Sequence, residues 1–358
     1  MTLFDSPAFE GHEGVHAFSD EKSGLKTIIA VHSTARGPAA GGCRMWPYAD
    51  AEAALTDALR LSRAMSFKNA MADLELGGGK AVIIGDSKTQ KTPALFEAFG
   101  ACVDQLGGRY WTAEDVGVSP ADLTHARRRT KYVAGLEGNP AASGDPSPVT
   151  AEGVFRGVRL CVQRALGRDL EGVRIAVQGV GHVGGYLAEK LAAAGAKLTL
   201  TDVNAELLHA VAARTGAQVV APGAIFDTDA EVFAPCALGG GINAQTLPRL
   251  KARVVAGAAN NQLADAETGR ALFARGTLYA PDYVINGGGI INVAGEIRAI
   301  ERGEAFDSAW VDAKLDRLML TLEEVLDRAA AENRPTSDLA NEIARARITM
   351  AEEKRAAA

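Results

Sequence analysis

Lys68 and Lys80 are the residues of this sequence best suited to chemistry, the second standing at the end of the run Gly77-Gly78-Gly79. Three glycines ahead of a lysine suit a backbone that something must approach closely, in conformations that side chains would forbid. A lysine on such a stem, walled by Leu74, Leu76, Ala81, Val82 and Ile83, is expected to be partly desolvated. Its pKa should then fall toward the range of a general base. Lys68, after Met65-Ser66-Phe67, is a second cation that could hold an anionic substrate group and depress its neighbour further. The plainer reading is a glycine-rich turn with two solvated lysines.

The elements that must position these lysines are legible from periodicity. Residues 13–34 read as two strands with a turn at 19–24, where Gly24 can take positive φ without steric cost. Residues 50–65 carry Leu55, Ala58, Leu59 and Met65 at helical spacing. A short strand is expected at 81–84, a helix at 92–106, and a strand entered through 107–112. Three prolines within 138–148 cannot sustain a helix or a central strand, which places a hinge or domain boundary there. Beyond it come a helix from about Thr150 to Leu166, capped by Thr150 or a neighbour, and a strand at 174–178. A glycine turn, a helix at 183–194 and a strand at 197–201 follow, and 306–330 read as a long amphipathic helix with Trp310, Leu315, Leu318, Leu322 and Val325 inward.

The chain has 358 residues, beyond the ~250–300 at which one core usually divides, so two domains are expected. Hydrophobic content of 47% and charged content of 23% are those of a globular enzyme. A net charge of −6 with no basic block argues against nucleic acid or an anionic membrane as partner. Cys43, Cys102, Cys161 and Cys236 are scattered, a pattern of reduced cytoplasmic thiols rather than a disulfide framework or a zinc site. No metal is expected. With no basic, apolar leader and no stretch near 18 apolar residues, the expected location is the cytoplasm.

Gly179-Val180-Gly181-His182-Val183-Gly184 follows the apolar strand Ile175-Ala176-Val177 and opens a helix, and Asp202 ends the next strand. In that context the motif predicts a dinucleotide site. Gly179 makes the tight turn, Gly181 lets amides approach a pyrophosphate, and Gly184 lets the helix pack on the sheet. His182 and Val183 stand in the same loop, His182 itself reading more readily as an ordinary turn residue. Asp202 would accept hydrogen bonds from the ribose hydroxyls and repel a 2′-phosphate, which favours NAD over NADP.

Six segments together resemble the glutamate/leucine/phenylalanine/valine dehydrogenases along nearly the whole chain, with wording closest to the leucine and phenylalanine enzymes. They are Gly37-Pro38-Ala39-Ala40-Gly41-Gly42-Cys43-Arg44-Met45-Trp46-Pro47-Tyr48, Met65-Ser66-Phe67-Lys68-Asn69-Ala70, Gly77-Gly78-Gly79-Lys80, Thr112-Ala113-Glu114-Asp115-Val116-Gly117, Gly257-Ala258-Ala259-Asn260-Asn261-Gln262 and Pro281-Asp282-Tyr283-Val284-Ile285-Asn286. The resemblance implies an α/β fold of two domains with an active-site cleft between them, and a homo-oligomer. The expected substrate and oligomerisation domain is 1–140 plus about 325–358, and the expected NAD-binding Rossmann domain is 141–324.

It also implies roles in oxidative deamination of an L-amino acid to the 2-oxo acid, ammonium and NADH. Lys68 would hold the α-carboxylate with Asn260, and Lys80 would activate the attacking water. Asp115 would move protons at the amino group, its alternative being a helix cap or turn carboxylate. Thr150 would stand beside the nicotinamide amide, and Asn261 would contact the cofactor or brace its loop. Glutamate enzymes carry a lysine before the Gly-Gly of the first segment, where this chain has Ala40, so glutamate is not the expected substrate. Leucine enzymes tend to have leucine there, and Ala40 opens room that could admit a ring. Ala113, Ile290 and Val293 match the rest of an apolar pocket wall. Cys43, where a threonine is common, reads as a neutral packing change. The first expectation is leucine or a branched-chain substrate, the alternative is phenylalanine, and a non-catalytic NAD-binding sensor is a remote third.

Overall fold

The computed structural model of the protein describes residues 3–357. The chain divides into two compact units, one holding the residues up to Asp145, Ile290–Val311 and those from Ala344 on. The other holds Pro146–Gly289 and Asp312–Ile343. The break after Asp145 falls inside the proline-rich stretch 138–148.

The first unit begins with strands β1 (Gly14–Asp20) and β2 (Leu25–Ser33), joined at Gly24 with φ of 76°. Next come β3 (Ala39–Ala40), β4 (Cys43–Trp46), helix α1 (Ala51–Met71), β5 (Gly77–Ile84), α2 (Pro93–Asp104), β6 (Tyr110–Trp111) and α3 (Pro120–Arg127). Asp50, Thr92 and Ser119 cap the three helices, each accepting a backbone N–H of the first turn. The sheet runs β1-β2-β5-β3-β6, with β4 also paired to β5. One face of the sheet carries a core built on Ile29, Met45, Ile83, Phe96, Phe99 and Tyr110, and Ala58, Leu59 and Val82 pack in a second cluster.

Two elements are longer than the periodicity predicts. Helix α1 continues past Met65 through Lys68 and stops only where Asp73 turns to a φ of 51°. Strand β5 starts at Gly77, not at Ala81, so the glycine run is strand and not turn. None of its three glycines has positive φ. What they supply is space. A Cβ on Gly78 would stand 2.1 Å from the Ser66 backbone nitrogen of α1, and one on Gly79 would stand 2.7 Å from the Tyr110 ring.

The second unit alternates α4 (Ser147–Leu166), β7 (Arg174–Gln178), α5 (His182–Ala193), β8 (Lys197–Thr201), α6 (Ala205–Thr215), β9 (Gln218–Val219), β10 (Val232–Pro235), β11 (Val254–Val255), α7 (Ala266–Ala274), β12 (Leu278–Tyr279) and α8 (Asp282–Ile285). Its six strands are parallel in the order β12-β11-β10-β7-β8-β9. The order reverses beside β7, the position at which an open α/β sheet binds ligands beyond its carboxyl ends. Three long helices, α9 (Gly288–Arg302), α10 (Ser308–Glu332) and α11 (Thr336–Ala357), each contribute to both units. In α10, Leu315, Leu318, Leu322 and Val325 are buried, while Trp310 is half-buried under the Arg298 guanidinium. All four cysteines are free thiols. Among the described residues no helix is long and apolar enough to cross a membrane.

Candidate active site

Strand β5 presents Lys80 with its side chain 5% exposed. Leu74, Leu76, Ala81, Val82 and Ile83 around it in sequence are all buried. Its ammonium lies 3.0 Å from Asp115 Oδ2. The same oxygen accepts a 2.9 Å hydrogen bond from Arg44 Nε. Arg44 reaches back through Nη1 to Asp57 Oδ2 at 3.0 Å, and the Tyr48 hydroxyl donates to that oxygen at 2.6 Å. Burial pushes the Asp115 carboxyl up, but Lys80 and Arg44 outweigh it and hold the group below the usual carboxylate range. Burial and the bond to Asp57 push the Tyr48 phenol up, so it remains a donor. Asp115 caps no helix, since Ser119 caps α3, and its carboxylate is committed to the two cations.

The backbone around the pair is fixed by close packing. Cys43 N donates to Ala113 O at 2.8 Å and Met45 N to Val116 O at 3.0 Å, which docks β4 along the segment that carries Asp115. A Cβ on Gly41 would lie 1.9 Å from Gly79 O, and one on Gly42 would lie 2.2 Å from Glu114 O. Tyr110 closes the base by donating to Gly41 O at 2.6 Å. Cys43 is fully buried in the core, where burial pushes its thiol up.

Lys68 is half-buried on the last turns of α1, two residues beyond the Ser66 that packs on Gly78. Lys80 stands two residues beyond Gly78, so one helix–strand contact places both lysines. Ala40 is 1% exposed on β3, in register with Gly78, and Ala113 is also buried. Ile290 is buried and Val293 half-buried on α9. The buried Glu296 of α9 accepts the Leu136 and Ser143 amides at 3.2 and 3.1 Å and the Ser143 hydroxyl at 2.7 Å. It thereby ties α9 to the loop whose Gly135 lies against Ala113 and Glu114.

In the second unit the glycines of the turn after β7 differ in what surrounds them. Gly179 has φ of 93°, and a Cβ there would stand 2.9 Å from Ala237. A Cβ on Gly184 would meet Gly179 O at 2.1 Å, whereas one on Gly181 would meet nothing within 4 Å. The open position is the one through which amides of a helix N-terminus face an anion, so the turn fits a pyrophosphate. His182 is exposed and Val183 half-buried, both at the start of α5. Asp202 is held by the backbone of the turn: its Oδ2 accepts Val180 N at 2.7 Å and its Oδ1 accepts Asn204 N at 2.8 Å.

Thr150 is not a helix cap, a correction to the sequence reading. Helix α4 starts at Ser147 with Pro146 in the cap position, and the Thr150 hydroxyl donates to Pro146 O at 2.9 Å inside the first turn. Pro146 has no side-chain acceptor, so the prolyl ring starts the helix without one. Asn260 is exposed, and its Oδ1 accepts from Asn286 Nδ2 at 2.8 Å. Asn261 has φ of 50°, and its carbonyl accepts Gly240 N at 2.6 Å, bracing the loop.

Comparison with known proteins decides what carries these arrangements. The profile of the Glu/Leu/Phe/Val dehydrogenase dimerisation domain matches residues 12–132. That of the Glutamate/Leucine/Phenylalanine/Valine dehydrogenases matches 143–209 and 198–356. The chain belongs to this family. It is 47% identical to the leucine dehydrogenase of Geobacillus stearothermophilus, over 97% of this chain and 94% of that one. It is 42% identical to the phenylalanine dehydrogenase of Bacillus thermotolerans, over 97% and 91% of the two chains. The crystal structure of L-tryptophan dehydrogenase from Nostoc punctiforme superposes with a TM-score of 0.82 at 40% identity, covering 96% of this chain and 97% of that one. The protein is thus an oxidoreductase, an amino-acid dehydrogenase of the leucine/phenylalanine/valine type.

Within this dehydrogenase, sequence reasoning singled out Lys80 and Asp115, and the structure brings them together. It missed Arg44, Asp57, Tyr48 and Glu296. Arg44 was in view, inside the Gly-Gly-Cys-Arg segment, but nothing local says which carboxylates it meets. The available signal was a charge embedded in an apolar run, which must find a partner on folding.

Proposed function

We propose that this dehydrogenase carries out NAD-dependent oxidative deamination of an apolar L-amino acid, leucine or a branched-chain residue first, to the 2-oxo acid, ammonium and NADH. The observation that carries this reading is the buried Lys80 ammonium paired at 3.0 Å with Asp115. A buried amine beside a carboxylate can pass a proton in either direction without letting bulk water in.

Lys68 holds the α-carboxylate as a cation, with Asn260 offering its amide. Lys80 takes a proton from the attacking water, passes it to the amino nitrogen, and takes the hydroxyl proton as the carbinolamine collapses to the oxo group. Asp115 takes the proton of the substrate ammonium and gives it back to departing ammonia. A nicotinamide cofactor held there would supply the acceptor for the hydride of the substrate Cα. Thr150 would face its amide, and Asn261 would brace the loop beside it. Gly179, Gly181, His182, Val183 and Gly184 would receive the pyrophosphate. Asp202, already fixed by two amides, keeps lone pairs for the ribose hydroxyls, which supports NAD over NADP.

Ala40, Ala113, Ile290 and Val293 offer no charged partner, so a γ-carboxylate would be stranded there at a cost of several kcal/mol. Aromatic substrates are a second reading, favoured by the small side chains at Ala40 and Ala113 and by likeness to a tryptophan and a phenylalanine dehydrogenase. A homo-oligomer is supported by the match to a dimerisation domain. Four unpaired thiols suit a cytoplasmic setting.

Initial rates of NADH formation on leucine, valine, phenylalanine and glutamate test the substrate class, and Lys80→Ala tests the chemistry. Turnover should fall by several orders of magnitude while NADH still binds. Turnover within about tenfold of wild type would remove Lys80 from the mechanism.

A further inference from the structure

Two cations share one oxygen of Asp115: Lys80 Nζ at 3.0 Å and Arg44 Nε at 2.9 Å both address Oδ2. Among the described residues no hydrogen-bond donor meets Oδ1. The two cations differ in kind. An ammonium can surrender its proton, whereas a guanidinium stays charged at any working pH. Once Lys80 gives up its proton, Asp115 would be a half-buried carboxylate with no counter-ion unless another cation stays in place. Such a group takes up a proton instead.

Arg44 is that second cation, and it is held independently of Lys80. Its Nη1 donates to Asp57 Oδ2 at 3.0 Å, and Tyr48 donates to the same oxygen at 2.6 Å. The charged and titratable groups facing Asp115 are Lys80 on β5, Arg44 and Cys43 on β4, Tyr48 just after β4, and Tyr110 on β6, with Asp57 of α1 behind Arg44. Cys43 and Tyr110 are fully buried, and burial pushes both up, so neither carries charge. With Lys80 protonated, the two cations and two carboxylates balance. With Lys80 neutral, Arg44 alone faces both carboxylates, and Tyr48 takes part of the load from Asp57 by its hydrogen bond.

We propose that Arg44 is a positioning residue that keeps Asp115 a carboxylate while Lys80 is a free base, up to the step in which Asp115 takes the substrate's proton, and that by holding Oδ2 it leaves Oδ1 open to the substrate amine. The proposal rests on the reading that Lys80 and Asp115 act on the substrate. It makes Arg44 the fixed charge and Lys80 the variable one, so that Asp115 can take the substrate's proton at the moment Lys80 is a free base.

The test compares Arg44→Met, Arg44→Lys and Asp115→Asn in the full-length enzyme, with leucine and NAD, across the pH profile of kcat and kcat/KM. Arg44→Met should lower kcat by about 10–100-fold with little change in leucine KM. Its acid limb should steepen as Asp115 begins to titrate, because an opposite charge at this distance holds a carboxyl down by about 1–3 pH units. Arg44→Lys, which keeps a cation, should recover most of the loss. In an Asp115→Asn background, Arg44→Met should cost almost nothing further, because the group it serves is gone.

A wild-type pH profile in Arg44→Met, or equal losses in Arg44→Met and Arg44→Lys, would overturn the proposal while leaving Asp115 in its role. Asp115→Asn turnover within about tenfold of wild type would overturn the underlying reading, and the proposal with it. Should Arg44→Met not fold, Arg44→Gln keeps a donor without the charge, and the same profile and double-mutant comparison decide.

Discussion

Replacing Gly78 with alanine should push apart the helix and the strand that carry the two lysines. The new Cβ would sit 2.1 Å from Ser66 N, 2.2 Å from Ser66 Oγ and 2.5 Å from Ser66 Cα. Two of those atoms are helix backbone and cannot rotate away. Restoring an ordinary contact requires a separation of about 1 Å more between α1 and β5. Overpacking of this kind costs about 1–3 kcal/mol. It should also break the 2.7 Å bond between Ser66 Oγ and His32 Nδ1. Lys68 would move with the helix and Lys80 would stay with the strand, and a 1 Å error in a positioned group costs on the order of 10²-fold in rate. Gly78→Ala should therefore melt earlier by circular dichroism and lose about 100-fold in kcat/KM on leucine. On the proposed reading of the glycine turn after β7 as the cofactor site, NADH should still bind, because that turn belongs to the other unit. Gly181→Ala is the counterpart: its Cβ meets nothing within 4 Å, so stability should hold while NADH binding weakens. A Gly78→Ala enzyme with unchanged melting and kcat/KM within about threefold of wild type would refute the packing argument.

Asp202→Ala should narrow the gap between NAD and NADP, and should also weaken NAD itself because the Val180 and Asn204 amides lose their acceptor. Equal use of NAD and NADP by the wild type would count against that reading. Ala40→Leu should lower activity on phenylalanine more than on valine, by an amount on the order of 1–3 kcal/mol in kcat/KM, and an unchanged phenylalanine rate would show that Ala40 does not border the ring. Burial first, then the neighbouring His12, lowers the His32 pKa from 6.5 to about 4. The unfolded chain binds that proton more readily, so stability is full above pH ~6.5 and falls as pH drops toward about 4, by roughly 3 kcal/mol in total. Urea midpoints should fall accordingly on acidification and do so less in His32→Gln, and parallel slopes would assign the loss elsewhere.

The second unit's alternation of strands and helices was legible because its signals are local. A strand, a tight glycine turn, a helix and an acid follow one another in sequence, so the places of Gly179, Gly181, Gly184 and Asp202 in the fold follow from sequence order. The first unit was less legible where glycines were involved. Low strand propensity makes Gly77-Gly78-Gly79 read as a turn, whereas the structure uses them as strand because the Ser66 backbone presses on one and the Tyr110 ring on another. Helix α1 was cut short for a related reason: its apolar stripe ends near Met65, but no breaker intervenes, and packing on β5 carries the helix on to Met71.

Charge pairing marks the limit of what the sequence reveals about the site. Lys80 and Asp115 were both singled out, yet their contact spans 35 residues of chain, and that of Arg44 with Asp115 spans 71. No periodicity connects such positions. What the sequence does record is the cost of leaving them unpaired, since Arg44 lies between the buried Cys43 and Met45 and Lys80 between buried strand residues. Each must meet an acid, and Asp115 is the one that meets both. The sharing of a single oxygen is the detail that neither motif nor burial predicts. It leaves Oδ1 as the oxygen that meets no donor among the described residues, the one a proton could reach without displacing Lys80 or Arg44.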